Sequence, residues 1–158
     1  MRLSAKVDYA LRALLVLADH APGLVKLDAL AVEEAMPRKF VESILAELRR
    51  AGLVQSRRGA DGGYGLAVSA DRITVGDVLR VVDGPISATP PVPRGPVASG
   101  GGSAHLATVW AALDASMAGV LDATTLEHLI SGRLPEHVER LAATEGPAGA
   151  GQAAPFHR

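Results

Sequence analysis

The chain has 158 residues, 48% of them hydrophobic but only 3% aromatic, which allows one compact domain with an appendage and a core of Leu, Val, Ile and Ala packed between helices. It contains no cysteine, which excludes disulfides, thiolate zinc sites, cysteine nucleophiles and thiol redox sensing. The formal net charge is -1, yet Arg38, Lys39, Arg49, Arg50, Arg57 and Arg58 face only Glu42 and Glu47 between Pro37 and Gly59, while the chain beyond Gly59 is net acidic.

In chain order, Val7, Ala10, Leu11, Leu14, Leu15 and Ala18 recur at three-and-four spacing and predict a first helix from Ser4 to about Asp19. A shorter helix is expected over Leu27 to Ala35, with Leu27, Leu30 and Ala31 inward and Glu33 and Glu34 outward. Pro37 suits the first turn of a third helix, whose stripe is Phe40, Val41, Ile44, Leu45 and Leu48. Gly52 is placed to close that helix in the left-handed conformation, with Leu53 folding back. Leu53 to Ser56 and Tyr64 to Ala67 read as the two strands of a hairpin around a glycine-rich turn. Thr74 and Asp77 form a capping box for a helix carrying Val75, Val78, Leu79 and Val82 to a stop at Gly84-Pro85.

Residues 86–103 are rich in proline and glycine without apolar period, and predict a flexible loop. Beyond it Leu106, Val109, Trp110, Leu113, Met117, Val120 and Leu121 mark one stripe of a helix about five turns long. Thr124 with Glu127 is read as the cap of a short helix through Ile130, and a last one starts at Pro135 and includes Val138 and Leu141. Residues 144–158 offer little to bury and are expected to be disordered. The predicted organisation is thus one domain over 1–84, a loop over 85–104, a long helix with short C-terminal helices over 105–143, and a tail over 144–158. The N-terminus shows no signal-peptide pattern, and no apolar run approaches the roughly 20 residues of a membrane span, so a cytoplasmic protein without a membrane partner is expected.

Three helices followed at once by a two-stranded hairpin is the order of a winged helix-turn-helix, in which the third helix enters the major groove of double-stranded DNA. The fold class expected is therefore mainly α, with a small β-hairpin wing and a long C-terminal helix. Arg38, Lys39, Glu42 and Ser43 occupy exposed early positions of the third helix, where side chains can reach base edges or phosphates. Arg57 and Arg58 precede Gly59-Ala60-Asp61-Gly62-Gly63, a turn able to approach the backbone closely, and Arg58 is the candidate for minor-groove insertion.

Over residues 1–134 the sequence resembles the Rrf-two family of winged-helix transcriptional regulators, the family that includes IscR, NsrR and CymR. The resemblance rests on Met1-Arg2-Leu3-Ser4 leading to Asp8-Tyr9-Ala10, on Leu48-Arg49-Arg50-Ala51-Gly52-Leu53-Val54, on Arg57-Arg58-Gly59 with Gly62-Gly63-Tyr64, and on Ile73-Thr74-Val75-Gly76-Asp77-Val78. It implies a homodimer whose long helix spaces two recognition helices over a pseudo-palindromic site, with repression the expected sign. It also implies DNA contacts at Lys39, Glu42, Arg49, Arg58 and Gly59.

Many members of that family hold an iron–sulfur cluster on three cysteines in the loop before the dimer helix. None of the three is present here, and Thr89, Arg94, Ser99 and Ser103 are no substitute for thiolates, so no cluster, metal or other cofactor is expected. His105 lies near the place of a histidine ligand, but Ala107 falls at that register, Asp8 alone makes no metal site, and His20, His128 and His137 lack ligand spacing. The 85–104 loop is left as the expected entry point for an unidentified effector or partner protein.

Two other readings compete. An enzyme using Gly59 to Gly63 as a phosphate cradle would need a strand running into a helix N-terminus, whereas this segment runs into Tyr64-Gly65-Leu66, and no Ser-His-Asp grouping or paired carboxylates stand out. A winged-helix module that mainly binds a partner protein would keep the fold, and weak salt dependence of its binding would distinguish it.

Overall fold

The computed structural model describes residues 4–33, 35–85 and 102–144. Seven helices and one hairpin follow the expected order: α1 (Ala5–Asp19), α2 (Leu27–Glu33), α3 (Arg38–Arg50), β1 (Val54–Arg57), β2 (Gly63–Leu66), α4 (Val75–Val82), α5 (Gly102–Leu121), α6 (Leu126–Ser131) and α7 (Glu136–Thr144), with a 3₁₀ turn at Ala70–Arg72. The fold is a mainly helical winged helix, as the sequence predicts.

Helix α1 is the central post. Ser4 caps it by accepting the Val7 N–H, and Val7, Ala10, Ala13, Leu14, Val16 and Leu17 are buried. Leu11, Leu15 and Ala18, expected inward, are only half-buried, because neighbours on several sides draw in Ala13, Val16 and Leu17 as well. On α3, Val41, Ile44, Leu45 and Leu48 are fully buried, and Tyr9 meets Phe40 edge to face at 5.4 Å. Lys6 adds an ion pair to Glu47 at 2.7 Å between the same two helices.

Several boundaries differ from expectation for local reasons. Helix α2 ends at Glu33, ahead of Ala35, whose φ of 51° lies outside the right-handed helix. Pro37 precedes the first turn of α3, at the N-cap, where its carbonyl accepts the N–H groups of Phe40 and Val41. Helix α3 closes as expected: Gly52 adopts φ 78°, its N–H donates to Arg49 O and the Leu53 N–H donates to Leu48 O, the paired bonds of a Schellman motif. Leu53 is thereby spent on the helix end, so β1 begins at Val54 and pairs antiparallel with β2 from Val54↔Leu66 to Arg57↔Gly63.

The capping box at Thr74 and Asp77 is present. The one expected at Thr124 and Glu127 is displaced by one residue: Thr125 and His128 form it instead. The cause is tertiary, since the Thr124 carbonyl accepts the Val75 N–H at 2.8 Å and the Leu126 N–H donates to Ile73 O at 2.9 Å. These bonds pull the chain after α5 against the segment before α4. Leu126 consequently enters the same core as Leu14, Leu17, Leu30 and Ile44, so α6 packs on α1 although the sequence groups it with the dimerisation helix. Helix α5 also starts at Gly102, inside the segment 85–104 read as a loop, and Thr144, the first residue of the expected tail, is instead the last of α7, while residues 86–101 and 145–158 lie outside the described residues.

Substituting Leu126 by Ala should cost about 2–5 kcal/mol in urea unfolding, because it leaves a cavity in a shared core, whereas Leu141→Ala, at a position 55% exposed, should cost under about 1 kcal/mol.

Candidate nucleic-acid interface

Helix α3 divides cleanly. At about 100° per residue, Arg38, Lys39, Glu42, Ser43, Arg49 and Arg50 fall within an arc of about 140°, opposite the buried stripe. All six are exposed. Thirteen residues of helix are about 20 Å long, a length that a major groove accommodates.

The cations in this region are not equivalent. Arg38 reaches back to Asp28 on α2, whose hydrogen bond and charge hold the guanidinium above its ordinary pKa. That exposed pair spans the two helices of the helix-turn-helix and occupies Arg38, whereas Lys39 beside it makes no ion pair among the described residues. Arg49 Nη1 donates to Ser56 Oγ at 3.0 Å, bracing the end of α3 against the wing. Arg57 Nη2 donates to Asp61 O at 2.9 Å, which shapes the wing turn from within. Among the described residues Lys26, Lys39, Arg49, Arg50, Arg57 and Arg58 make no ion pair, and elsewhere only Arg72 and Arg133 make none, in contrast to Lys6, Arg12, Arg38, Arg80 and Arg140. Unneutralised positive charge therefore gathers on the face formed by α3 and the wing.

The wing tip depends on two glycines. Gly59 has φ 109°, which side chains rarely adopt, and a Cβ on Gly62 would lie 2.2 Å from Arg57 O. Arg58, exposed and immediately before Gly59, projects from the start of that turn. Beside it lies a cleft of about 390 Å³, bounded by Arg49, Ser56, Arg58, Gly59 and Tyr64 of α3 and the wing and by Lys26 just before α2. Sequence reasoning missed Lys26 because it sits alone between apolar residues. Its signal is spatial: Val25 and Tyr64 exchange two backbone hydrogen bonds of 2.8 Å.

The second expected surface is on α5. Leu106, Val109 and Leu113 are 51%, 53% and 43% exposed, while Trp110, Met117, Val120 and Leu121 are half-buried. Helix α7 meets the C-terminal half, where His137 Nε2 lies 2.9 Å from Gly119 O. The last turn is anchored to α4 by Arg80, whose Nη2 lies 2.6 Å and 2.7 Å from the carboxylate oxygens of Asp122.

No described helix is long and apolar enough to cross a membrane. Among the described residues no three His, Cys, Asp or Glu side chains gather as a metal site, and residues 86–101 contain none of those four types.

A family model described as "Rrf2: Iron-dependent Transcriptional regulator" matches residues 3–132. The residues present do not fit an iron–sulfur cluster, which thiolates hold. A Mycobacterium tuberculosis protein whose name provisionally assigns it to the HTH-type transcriptional regulators is 46% identical over 143 residues, covering 90% of this chain and 89% of its own. The HTH-type transcriptional regulator CymR of Bacillus subtilis is 36% identical over 132 residues, covering 83% and 91%. The solved structure of CymR, titled the global cysteine regulator of B. subtilis, superposes with a TM-score of 0.70 at 35% identity, covering 84% of this chain and 98% of that one. The IscR structure from T. potens gives 0.66 at 32% identity, covering 84% and 88%. The chain accordingly belongs to the Rrf2 family of HTH-type, DNA-binding transcription regulators.

Proposed function

We propose that the protein acts as a homodimeric repressor that reads a pseudo-palindromic site with α3 and grips the flanking backbone with the wing, without an iron–sulfur cluster. The observation that carries this reading is the concentration of unpaired cations on the exposed face of α3 and on the wing, opposite a fully buried stripe. In it Lys39, Glu42 and Ser43 meet base edges or nearby phosphates, Arg49 and Arg57 support the backbone contact while bracing the wing, Gly59 permits close approach, and Arg58 enters the minor groove. Arg38 contributes chiefly by fixing α2 to α3.

The dimer reading is supported by α5. Its 20 residues include one charged side chain, Asp114, and its apolar side chains at 106, 109 and 113 are uncovered within one chain. A helix with so little polar surface is stable in water only when covered. A second copy of α5 supplies that cover and sets two α3 helices at a fixed spacing, as a pseudo-palindromic site demands. A dimer across two half-sites also excludes other proteins from the same DNA, which is the basis for repression as the sign.

Binding of the intact protein to a duplex recovered by in vitro selection tests the core of this. Arg58→Ala should weaken binding to selected and unrelated duplexes alike and flatten the salt dependence, whereas Glu42→Ala should relax preference at one base pair per half-site, by about 1–3 kcal/mol. An Arg58→Ala variant with unchanged affinity and salt slope contradicts the wing assignment. Leu113→Glu should convert a dimer into a monomer in sedimentation at micromolar concentration while leaving the far-ultraviolet circular dichroism near wild type; a dimer that persists removes α5 as the interface.

A further inference from the structure

The cleft between the wing and the residues leading into α2 sets Lys26, which the reading above does not use, beside residues that it does. Its lining contains Lys26, Arg49, Arg57 and Arg58 with the hydroxyl-bearing Ser56 and Tyr64, and no carboxylate. Asp28, two residues beyond Lys26, is occupied by Arg38. On the wing side, Gly59, Gly62 and Gly63 present backbone rather than side chains. The result is an open, positively charged notch with a bare wall.

Lys26 does not sit in this notch by chance of a loose loop. Val25 is 5% exposed and joined to Tyr64 by reciprocal backbone hydrogen bonds, so the chain there runs as an extra edge beside β2. Gly63 makes the approach feasible, since a Cβ on it would lie 2.7 Å from Val25 O. Successive side chains of extended backbone point to opposite sides, and with Val25 in the core, Lys26 is directed outward to the cleft. Leu27 then enters α2. The ammonium is therefore tethered to a fixed backbone on both sides, at the flank of α3.

We propose that this cleft seats a phosphodiester of the DNA backbone, with Lys26 as a positioning residue that supplies charge from the α2 side while Arg49 and Arg58 supply it from α3 and the wing. The proposal rests on the DNA-binding reading and deepens it. Phosphate oxygens are what a cluster of this composition recognises, and a duplex delivers one wherever a recognition helix and its wing straddle the same strand. Lys26 fixes register and adds affinity without reading sequence.

The experiment compares wild type, Lys26→Ala and Lys26→Arg on a selected duplex and on a random-sequence duplex of the same length across a salt series. Lys26→Ala should weaken binding to both by a similar factor of about five to ten and lower the magnitude of the slope of log affinity against log salt by about 0.9 per protomer. Lys26→Arg should restore both, which a purely structural role for the lysine does not require. In wild type, a neutral methylphosphonate at one flanking backbone position should cost at least as much as Lys26→Ala, and in Lys26→Ala the same substitution should cost less than it does in wild type, the remainder being the share of Arg49 and Arg58. Wild-type affinity and slope in Lys26→Ala, or a loss confined to one duplex, overturns the proposal while leaving DNA binding intact. A wild-type protein that binds neither duplex in a salt-dependent way overturns the DNA reading itself. Calorimetry with inorganic phosphate alone separates the sources of the anion: no saturable binding at millimolar concentration is expected, and a phosphate site abolished by Lys26→Ala with DNA binding unchanged overturns the assignment to the backbone.

Discussion

Helix α1 carries apolar side chains around most of its circumference, and no single neighbour covers a cylinder of that kind. Helices α3, α4 and α6 and strand β2 all pack against it. The demand for cover reaches far along the chain: α6 lies beyond the 20-residue α5, so the chain must return to α1 after leaving it at the end of α4. The hydrogen bonds between Ile73 and Leu126 and between Val75 and Thr124 hold that return in place, and Arg80 with Asp122 adds an ion pair beside them. At exposed positions such a pair contributes little stability, on the order of 1 kcal/mol or less, so the buried Leu126 and the backbone bonds carry the attachment.

The same packing makes the unit of α3 and the wing rigid. One short stretch of chain closes α3 and opens the wing: Leu53 donates its N–H to Leu48 O and accepts the Ala67 N–H on its carbonyl. Arg49 and Ser56 span the joint, and Val25 and Tyr64 fasten the wing to the start of α2. The wing therefore cannot rotate on α3 without breaking backbone hydrogen bonds. Readout by a helix and backbone contact by a hairpin require such a fixed relation, since bidentate base contacts depend on angle as well as distance.

The family description names iron, and this chain carries none of the thiolates that would hold an iron–sulfur cluster. The described residues on either side of 86–101 are tied to the domain: Asp83, at the end of α4, accepts from the Ser4 hydroxyl at 2.7 Å, and the end of α5 is joined to Arg80 of α4 through Asp122. Any signal that altered the approach to α5 would act on a helix already anchored to the DNA-binding unit at its far end.

The sequence by itself determined the order of elements and the fold class, and it pointed to two candidate surfaces. Periodicity, caps and turn glycines are local, so α1, α3, the box at Thr74 and Asp77 and the left-handed Gly52 were legible from neighbouring residues alone. Charge clustering likewise pointed to α3 and the wing. Tertiary structure decided what depends on partners distant in sequence. It moved the cap from Thr124 to Thr125 because Thr124 bonds to Val75, and it placed Leu126 in the core of the DNA-binding unit. It set Arg38 on Asp28 and brought Lys26 beside Arg58. An isolated lysine carries no periodic or motif signal, and only the pairing of Val25 with Tyr64 turns it into part of a charged cleft.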